Sequence, residues 1–503
     1  MRLLHSVLTG ALASLLFVPL SVFAEDRPAA GDAPAAAAKP AEPAKPAIPP
    51  LLARPATPPK VAPRVPTETE KQIDAVNEPL ALLRLSKQFE QAKDWRHQAY
   101  ALAKLYALRP MQGNIGYELA AAYARQDDKR NAYDVLVRLQ SNGFGFDPGK
   151  DPRFDKIHGT RVWDYIVANL EANMTPFGGG APGFTLPAGD TLFESIGYDP
   201  ARKKFLVASV REGSIYLADD RGATTPFIVA DADNGLLASY GLAVDAPRDL
   251  LWVIGNGVPH KKGIAQADFG RSVLYKFVLS TGKLAARYEV PVAHRPSLLS
   301  SIAVSPKGDV VVADGVARRI YQLAGEQLQL IVENPRLTSI RGLAYDKTGT
   351  RLYFADYDLG LFGLDLNTGK PFAVAPEKGL TLYSIEGLAF WKDQLIIVQN
   401  GFPPARAMRL TLDETGTRVQ HAQALDAAKP EFALPTQGVV VGDDFWFIAN
   451  SQRGQYDAYG LPKDAAKLKP VHIYRSDLKF AADSGKDGQG GKVAPISAPA
   501  PVK

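Results

Sequence analysis

The chain has no cysteine among its 503 residues. That excludes disulfide staples, thiolate metal sites, a catalytic thiol and a lipid-bearing cysteine. Histidine is scarce, with seven residues and no paired spacing for zinc. No Gly-x-Ser-x-Gly elbow is present to seat a nucleophilic serine. Asp268-Phe269-Gly270 stands without the phosphate and catalytic loops that would make it a kinase motif. Phe177-Gly178-Gly179-Gly180 is followed by no helix that could bind phosphate, and reads as an interdomain hinge. An excess of one charge is also lacking. Lys+Arg number 58 and Asp+Glu 53, a formal net charge of +5. No basic stripe with interleaved aromatics occurs, so no nucleic-acid partner is expected. Beyond the N-terminus no apolar run reaches about 18 residues, so no membrane span is expected in the mature chain. The hydrophobic fraction of 46% is enough for a sizeable core.

Both ends have a distinct composition. Residues 1–24 read as a secretory signal: Arg2 is the positive start, Val7 to Val22 is mostly apolar, and Val22-Phe23-Ala24 offers small residues to a signal peptidase. The alternative is a retained anchor, for which the run is short. A periplasmic or secreted location follows as the expectation. Residues 25–66 hold 12 Pro and 13 Ala in 42 positions, with no aromatic. Such a segment buries too little surface to offset its ordering entropy, and polyproline II would extend it to about 130 Å. It reads as a disordered, semi-rigid spacer. Residues 479–503 read as a second disordered tail.

Residues 67–175 carry a helical period. Leu82, Leu83, Leu85 and Phe89 precede Trp95, and Ala99, Leu102, Leu105 and Tyr106 recur at helical spacing up to Leu108-Arg109-Pro110. A second helix holds Tyr117, Leu119, Ala120, Ala122 and Tyr123. Gln126-Asp127-Asp128 is a polar turn. A third helix holds Ala132, Leu136 and Leu139 and ends at Asn142-Gly143. The Tyr117-to-Leu139 stretch resembles the tetratricopeptide pattern, with only about two units present. Too few units for a free solenoid predict that the domain leans on its neighbour, with Phe144, Phe146, Phe154 and Trp163 as the seam. It is either a groove for a protein partner or a packing cap.

From residue 185 to 478 the period changes. A small residue, two apolar residues and an aromatic or valine recur at Ser195, Gly241, Ser301, Gly342, Gly387 and Gly438, each leading into a second apolar strand. The intervals are 46, 60, 41, 45 and 51 residues. Periods of about 40–50 with roughly four strands each mean a β-propeller. The expected fold is mainly β: a six-bladed propeller behind an N-terminal α-helical domain.

The innermost strand of each blade should point its first residues at the channel. The candidates are Glu194, Tyr240, Ser300, Arg341, Glu386 and Gln437. The second strand returns to the same face and ends at Ser209, Gly255 or Asn256, Asp314, Asp356, Asn400 and Asn450, a second polar ring. The plain alternative is a hydrated channel with no ligand. Long loops after the second strands of blades two (Asn256 to Arg271, with His260, Lys261, Lys262 and Asp268) and six (Asn450 to Lys469, with Arg453, Tyr456, Asp457 and Tyr459) should shape the mouth.

Phe193-Glu194-Ser195-Ile196-Gly197-Tyr198-Asp199, running on to Phe205-Leu206-Val207-Ala208, resembles the opening blade of the gluconolactonase, regucalcin and senescence-marker-protein family. The resemblance covers about 290 residues, the whole propeller, and none of the helical part. It implies one divalent cation, often calcium, held on the channel axis by a Glu, an Asn and an Asp, the Asp also serving as base. Position by position, the Glu is Glu194 and the Asp is Glu386. The Asn is Arg341, which donates only and cannot ligate a cation. The expected consequence is that Arg341 itself neutralises Glu194 and Glu386. Two functions follow. The first is an exported ligand-binding or protein-interaction module with a remodelled channel, taking an anionic or sugar-like small molecule at Arg341, Tyr240, Ser300, Gln437, Asn400, Asn450, Asp314 and Asp356. The second, implied by the resemblance, is a calcium-dependent lactone or ester hydrolase with Glu194 and Glu386 on the metal and Glu386 as the catalytic group.

Overall fold

The computed structural model describes residues 65–481. The expected signal, almost all of the spacer and most of the tail lie outside the described residues.

Among the described residues six α-helices come first: α1 (Glu68–Ala75), α2 (Pro79–Gln91), α3 (Trp95–Leu108), α4 (Gly113–Arg125), α5 (Lys129–Ser141) and α6 (Arg161–Ala172). A short 3₁₀ turn at Pro152–Ile157 precedes α6. The apolar run from Leu82 to Leu108 is two helices. Lys93 turns left-handed, with φ 56°, and Asp94 caps α3 by accepting from the His97 N–H at 3.2 Å. Asp128 does the same for α5, accepting from Asn131. Neighbouring helices come close because the residues between them are small. Ala99, Ala101, Ala120, Ala121, Ala122, Ala124 and Ala132 are all buried.

The rest is a propeller of six sheets. Blades one to five run through residues 193–228, 238–289, 299–333, 340–373 and 385–427. The sixth is built from Gly438–Val441, Asp444–Ile448 and Val471–Asp477, and its outermost strand is Ala181–Leu186, from the start of the region. This clasp joins the two ends of the ring, so no blade is left open at the seam. The first strands of successive blades pack on one another around the axis.

The three glycines after Phe177 do not form a free hinge. Phe177–Gly178 adds a fifth strand to blade five, pairing with Ala427 and Asp426. Gly178 has φ 108°, and a Cβ there would lie 1.9 Å from the Leu425 carbonyl oxygen. The chain needs glycine to pass this close. At the other end, Phe480 packs edge-on against Phe177 at 5.8 Å.

The helical region docks on the face where the second strands end, beside blades four and five. Phe144 is 1% exposed and stacks on Phe402 with ring centroids 4.2 Å apart. Gly145 donates its N–H to the Pro403 carbonyl at 2.8 Å, and Gln112 Nε2 donates to Asp358 at 2.8 Å. Of the four residues expected at the seam only Phe144 crosses it. Phe146 stacks on Tyr117, and Phe154 lies between Tyr117 and Trp163 inside the helical core. These rings are enclosed by their own helices before the propeller is met.

Candidate functional site

Five of the six channel candidates share one backbone feature. The pairing of the first two strands slips by one residue at Glu194, Tyr240, Ser300, Arg341 and Glu386. Each is the extra residue of a β-bulge. A bulge leaves its residue out of the ladder and re-aims the side chain. The small residue that follows allows close packing: a Cβ on Gly342 would sit 2.6 Å from Leu388 Cβ on the next inner strand, and one on Gly241 2.8 Å from Ile254 on the second strand of its own blade.

Blades four, five and one present Arg341, Glu386 and Glu194, and a fourth group completes the row. Arg453, from the blade-six loop, donates from Nη2 to Glu194 Oε2 at 2.5 Å and to Glu386 Oε1 at 3.2 Å. Ser451 Oγ also donates to Glu194. Arg341 Nη1 stands 4.0 Å from Glu386 Oε1. The row therefore alternates in sign: Arg341, Glu386, Arg453, Glu194. This corrects the expected role of Arg341. Arg453 is the cation between the two carboxylates, and Arg341 approaches Glu386 alone. Burial by itself would raise the Glu386 carboxyl, but the charges of Arg341 and Arg453 and the hydrogen bond from Arg453 bring it below the ordinary carboxylate value. The attraction of Glu194 drives the Arg453 guanidinium well up, against its desolvation.

Gln437 crosses the axis. Its Nε2 donates to the Ser300 carbonyl at 2.8 Å, with the Arg341 carbonyl at 3.4 Å. Blade six thereby reaches blades three and four, and the polar mouth has a floor. Ser300 spends its hydroxyl on the Ile340 carbonyl at 2.7 Å. Two groups at the mouth make no side-chain hydrogen bond among the described residues. No side-chain hydrogen bond of Arg341 is found among the described residues, its buried Nε included, although the side chain is only 15% exposed. The Tyr240 hydroxyl likewise bonds no described group. Burial raises its pKa, and it lies in the fields of Arg453, Glu194 and Arg341. Tyr357 flanks Arg341, with its ring centroid 5.9 Å from Cζ, and donates to Asn400 Oδ1 at 2.8 Å.

The expected second polar ring is structural. Asp356 accepts from Thr338 N and Oγ1, both at 2.6 Å, and from Ser339 N. Asn450 donates to the Pro470 carbonyl and accepts from His472 N. Asp314 accepts from Val316 N and Ala317 N. Asn256 clips both backbone groups of Leu299 in the next blade, and Ser209 bonds the Thr191 carbonyl. In blade five the clip is Gln399, on the Thr381 and Tyr383 carbonyls, which leaves Asn400 at the mouth. Asp356 and Asn450 are therefore engaged by the adjoining loops, and Asp314 by loop backbone through Oδ1, its buried Oδ2 having no partner among the described residues. Strand ends leave orphan backbone groups, and a short polar side chain is the economical partner.

Asp314 carries a pH signature. Burial pushes its carboxyl from 3.8 up to about 6, against the hydrogen bonds from Ala317, Leu298 and Val316. The folded chain holds the proton more tightly than the unfolded one. Stability from this group is present below about pH 4 and is lost as pH rises towards 6, by about 3 kcal/mol. Asp314→Asn keeps the acceptor oxygen. Thermal melts from pH 4 to 7 should show wild type losing ground to the variant across that window; parallel curves would refute the assignment.

The donor set can be tested against the implied cation. Calcium takes about six to eight oxygens. The mouth offers two carboxylates already shared with a guanidinium, and a second guanidinium at the third position. Among the described residues no group of three or more His, Asp or Glu could hold a metal. The residues present do not fit calcium.

The sequence places Arg453 on a loop that shapes the mouth, but not between Glu194 and Glu386, because nothing local pairs it with carboxylates so far along the chain. Tyr357 carried no signal either, being one more residue after the Asp356 clip.

No family model matches the chain, and no curated protein matches it. Among solved structures, the calcium-binding protein regucalcin of Agrobacterium tumefaciens is 14% identical, with a TM-score of 0.42 over 60% of this chain and 96% of that one. A gluconolactonase candidate is 14% identical, with a TM-score of 0.41 over 60% and 93%. The PQQ-bound aldose sugar dehydrogenase of Streptomyces coelicolor is 15% identical, with a TM-score of 0.39 over 60% and 99%. The chain is a six-bladed propeller by its own six sheets, and regucalcin- and gluconolactonase-like propellers are among its structural neighbours.

Proposed function

We propose that the chain is an exported binding protein that takes a small oxyanion-bearing molecule, of the sugar-acid kind, at the propeller mouth. One observation carries this reading. Arg341 is a nearly buried guanidinium with no hydrogen-bond acceptor of its own, while the neighbouring carboxylates are already bonded by Arg453. Leaving a buried donor unmet is costly, and a planar fork is suited to a carboxylate. The Tyr240 hydroxyl is a second donor in the same field, and the Tyr357 ring flanks the fork.

The hydrolase reading has one observation in its favour, two buried carboxylates at one mouth. Against it, a general base works best with a pKa near the operating pH. Glu386 is held below the ordinary carboxylate value, which makes it a weaker base than a free glutamate.

The test is calorimetric titration of the full chain with glucuronate, gluconate and glucono-1,5-lactone, beside Arg341→Ala. The sugar acids should bind, and the variant should lose about 10- to 100-fold in affinity, the worth of a charged hydrogen-bonded pair. Equal affinity in the variant, or turnover of the lactone without acid binding, would overturn the proposal.

A further inference from the structure

Two carboxylates that converge on one point collect a cation, because each alone would be a buried unpaired charge. At this mouth the point holds Arg453 Nη2, 2.5 Å from Glu194 and 3.2 Å from Glu386. We propose that Arg453 is a built-in cation: a tethered guanidinium that stands where a free divalent ion would otherwise bind, neutralises Glu194 and Glu386, and fastens the blade-six loop across the mouth. The ligand reading shares this mouth and uses the same pairing of Arg453 with the carboxylates, but the two are read apart: calcium binding reports on residue 453 and sugar-acid binding on Arg341.

The loop is built to deliver that one side chain. Its two legs are tied together: Gln452 Nε2 donates to the Lys469 carbonyl and Gln452 Oε1 accepts from Lys469 N, both at 2.6 Å. Asn450 ties the same legs closer to the blade, through Pro470 and His472. Ser451 donates to Glu194 and accepts from the Arg453 N–H at 3.2 Å, which fixes the backbone from which the arm extends. The far end rests on the blade-two loop. Tyr456 meets His260 at 6.2 Å, and Gly460, at φ 75°, passes so close that a Cβ would lie 2.4 Å from His260 Cα. His260 is itself held by Arg211, which donates to its carbonyl and grips Asp190 through two nitrogens at 2.6 and 2.8 Å.

A group held in place competes at an effective concentration in the millimolar range or above without the loss of freedom that a dissolved ion incurs. The mouth should therefore ignore calcium in wild type and accept it once the arm is shortened. The experiment uses the full chain, calcium chloride to about 10 mM, above the range of the weakest dedicated sites, and both calorimetry and thermal melts. Wild type and Arg453→Lys should show no saturable heat and no calcium-dependent shift. Arg453→Ala should melt lower in chelator and recover with calcium. R341N/R453A should bind about tenfold tighter than R453A, because a second cation is gone. E194Q/R453A should lose the response, which separates the mouth from stray surface sites. If R453A does not fold without metal, its refolding yield with and without calcium reads the same quantity. Saturable calcium binding by wild type, or an Arg453→Ala variant as indifferent to calcium as wild type, would overturn the proposal.

Discussion

Phe184→Asp abolishes the cooperative unfolding transition of the propeller. Phe184 sits in the clasp strand Ala181–Leu186, which pairs with Val471–Asp477 and completes blade six. It is 6% exposed, with ring centroids 5.0 Å from Phe205 and 6.1 Å from Trp446. These rings belong to blades one and six, so the side chain sits at the junction of first and last blade. Losing it costs about 3–5 kcal/mol. Placing a carboxylate there adds several kcal/mol more, against a total stability of about 5–15. Without the clasp, blade six exposes an edge and the ring has two free ends. Circular dichroism melts and urea titration should find no native transition in Phe184→Asp, whereas Phe184→Leu keeps it at a lower midpoint. An aspartate variant that melts within about 2 °C of wild type, a loss of only about 1–2 kcal/mol for a chain of this size, would mean that the clasp is dispensable.

Phe144→Ala should separate the helical region from the propeller. The ring is almost fully buried between the two bodies, against Phe402 and Tyr383. Truncation of a buried Phe costs about 3–5 kcal/mol. Part of that loss falls inside the helical core, since Phe144 also fills the space beside Gly113. The double variant with Phe402→Ala separates the two parts. If the contact is the dock, the second truncation costs less in the Phe144→Ala background, by about 0.5–1.5 kcal/mol. Calorimetry should then resolve two transitions where wild type shows one. Additive losses with a single transition would place the whole role of Phe144 within the helices. Gln112 and Asp358 are the polar half of the same seam. Asp356 clips the loop that carries both Tyr357 and Asp358, so this dock lies one residue from a ring that flanks Arg341. Undocking is expected to weaken the mouth as well as the seam.

Much of the ring is legible in the sequence. Repeats of a small residue followed by apolar pairs, at intervals near 45, allow few other architectures, because strand alternation and turn residues are local properties. The channel residues were legible for the same reason. Each precedes the repeat's small residue, and Glu194, Tyr240, Arg341, Glu386 and Gln437 all reach the mouth. Their mechanism was not, because a bulge is a property of paired strands and leaves no mark in one strand alone. The second ring misled because a polar residue at a strand end reads the same whether it faces a ligand or closes a loop. Only its partners, such as Thr338 for Asp356 and Pro470 for Asn450, tell the two apart.

By itself, then, the sequence determined the repeat, the number of blades, the helical region and the polar character of the mouth. All of these follow from periodicity within short windows. Tertiary structure decided which ends meet, through Phe184 and the clasp. It also decided which cation lies between Glu194 and Glu386, and which donors remain free. Arg453 is separated from Glu194 by more than half the chain and from Glu386 by a blade. Charge pairing acts through space over a few ångströms, and sequence distance carries no trace of it until the ring has closed.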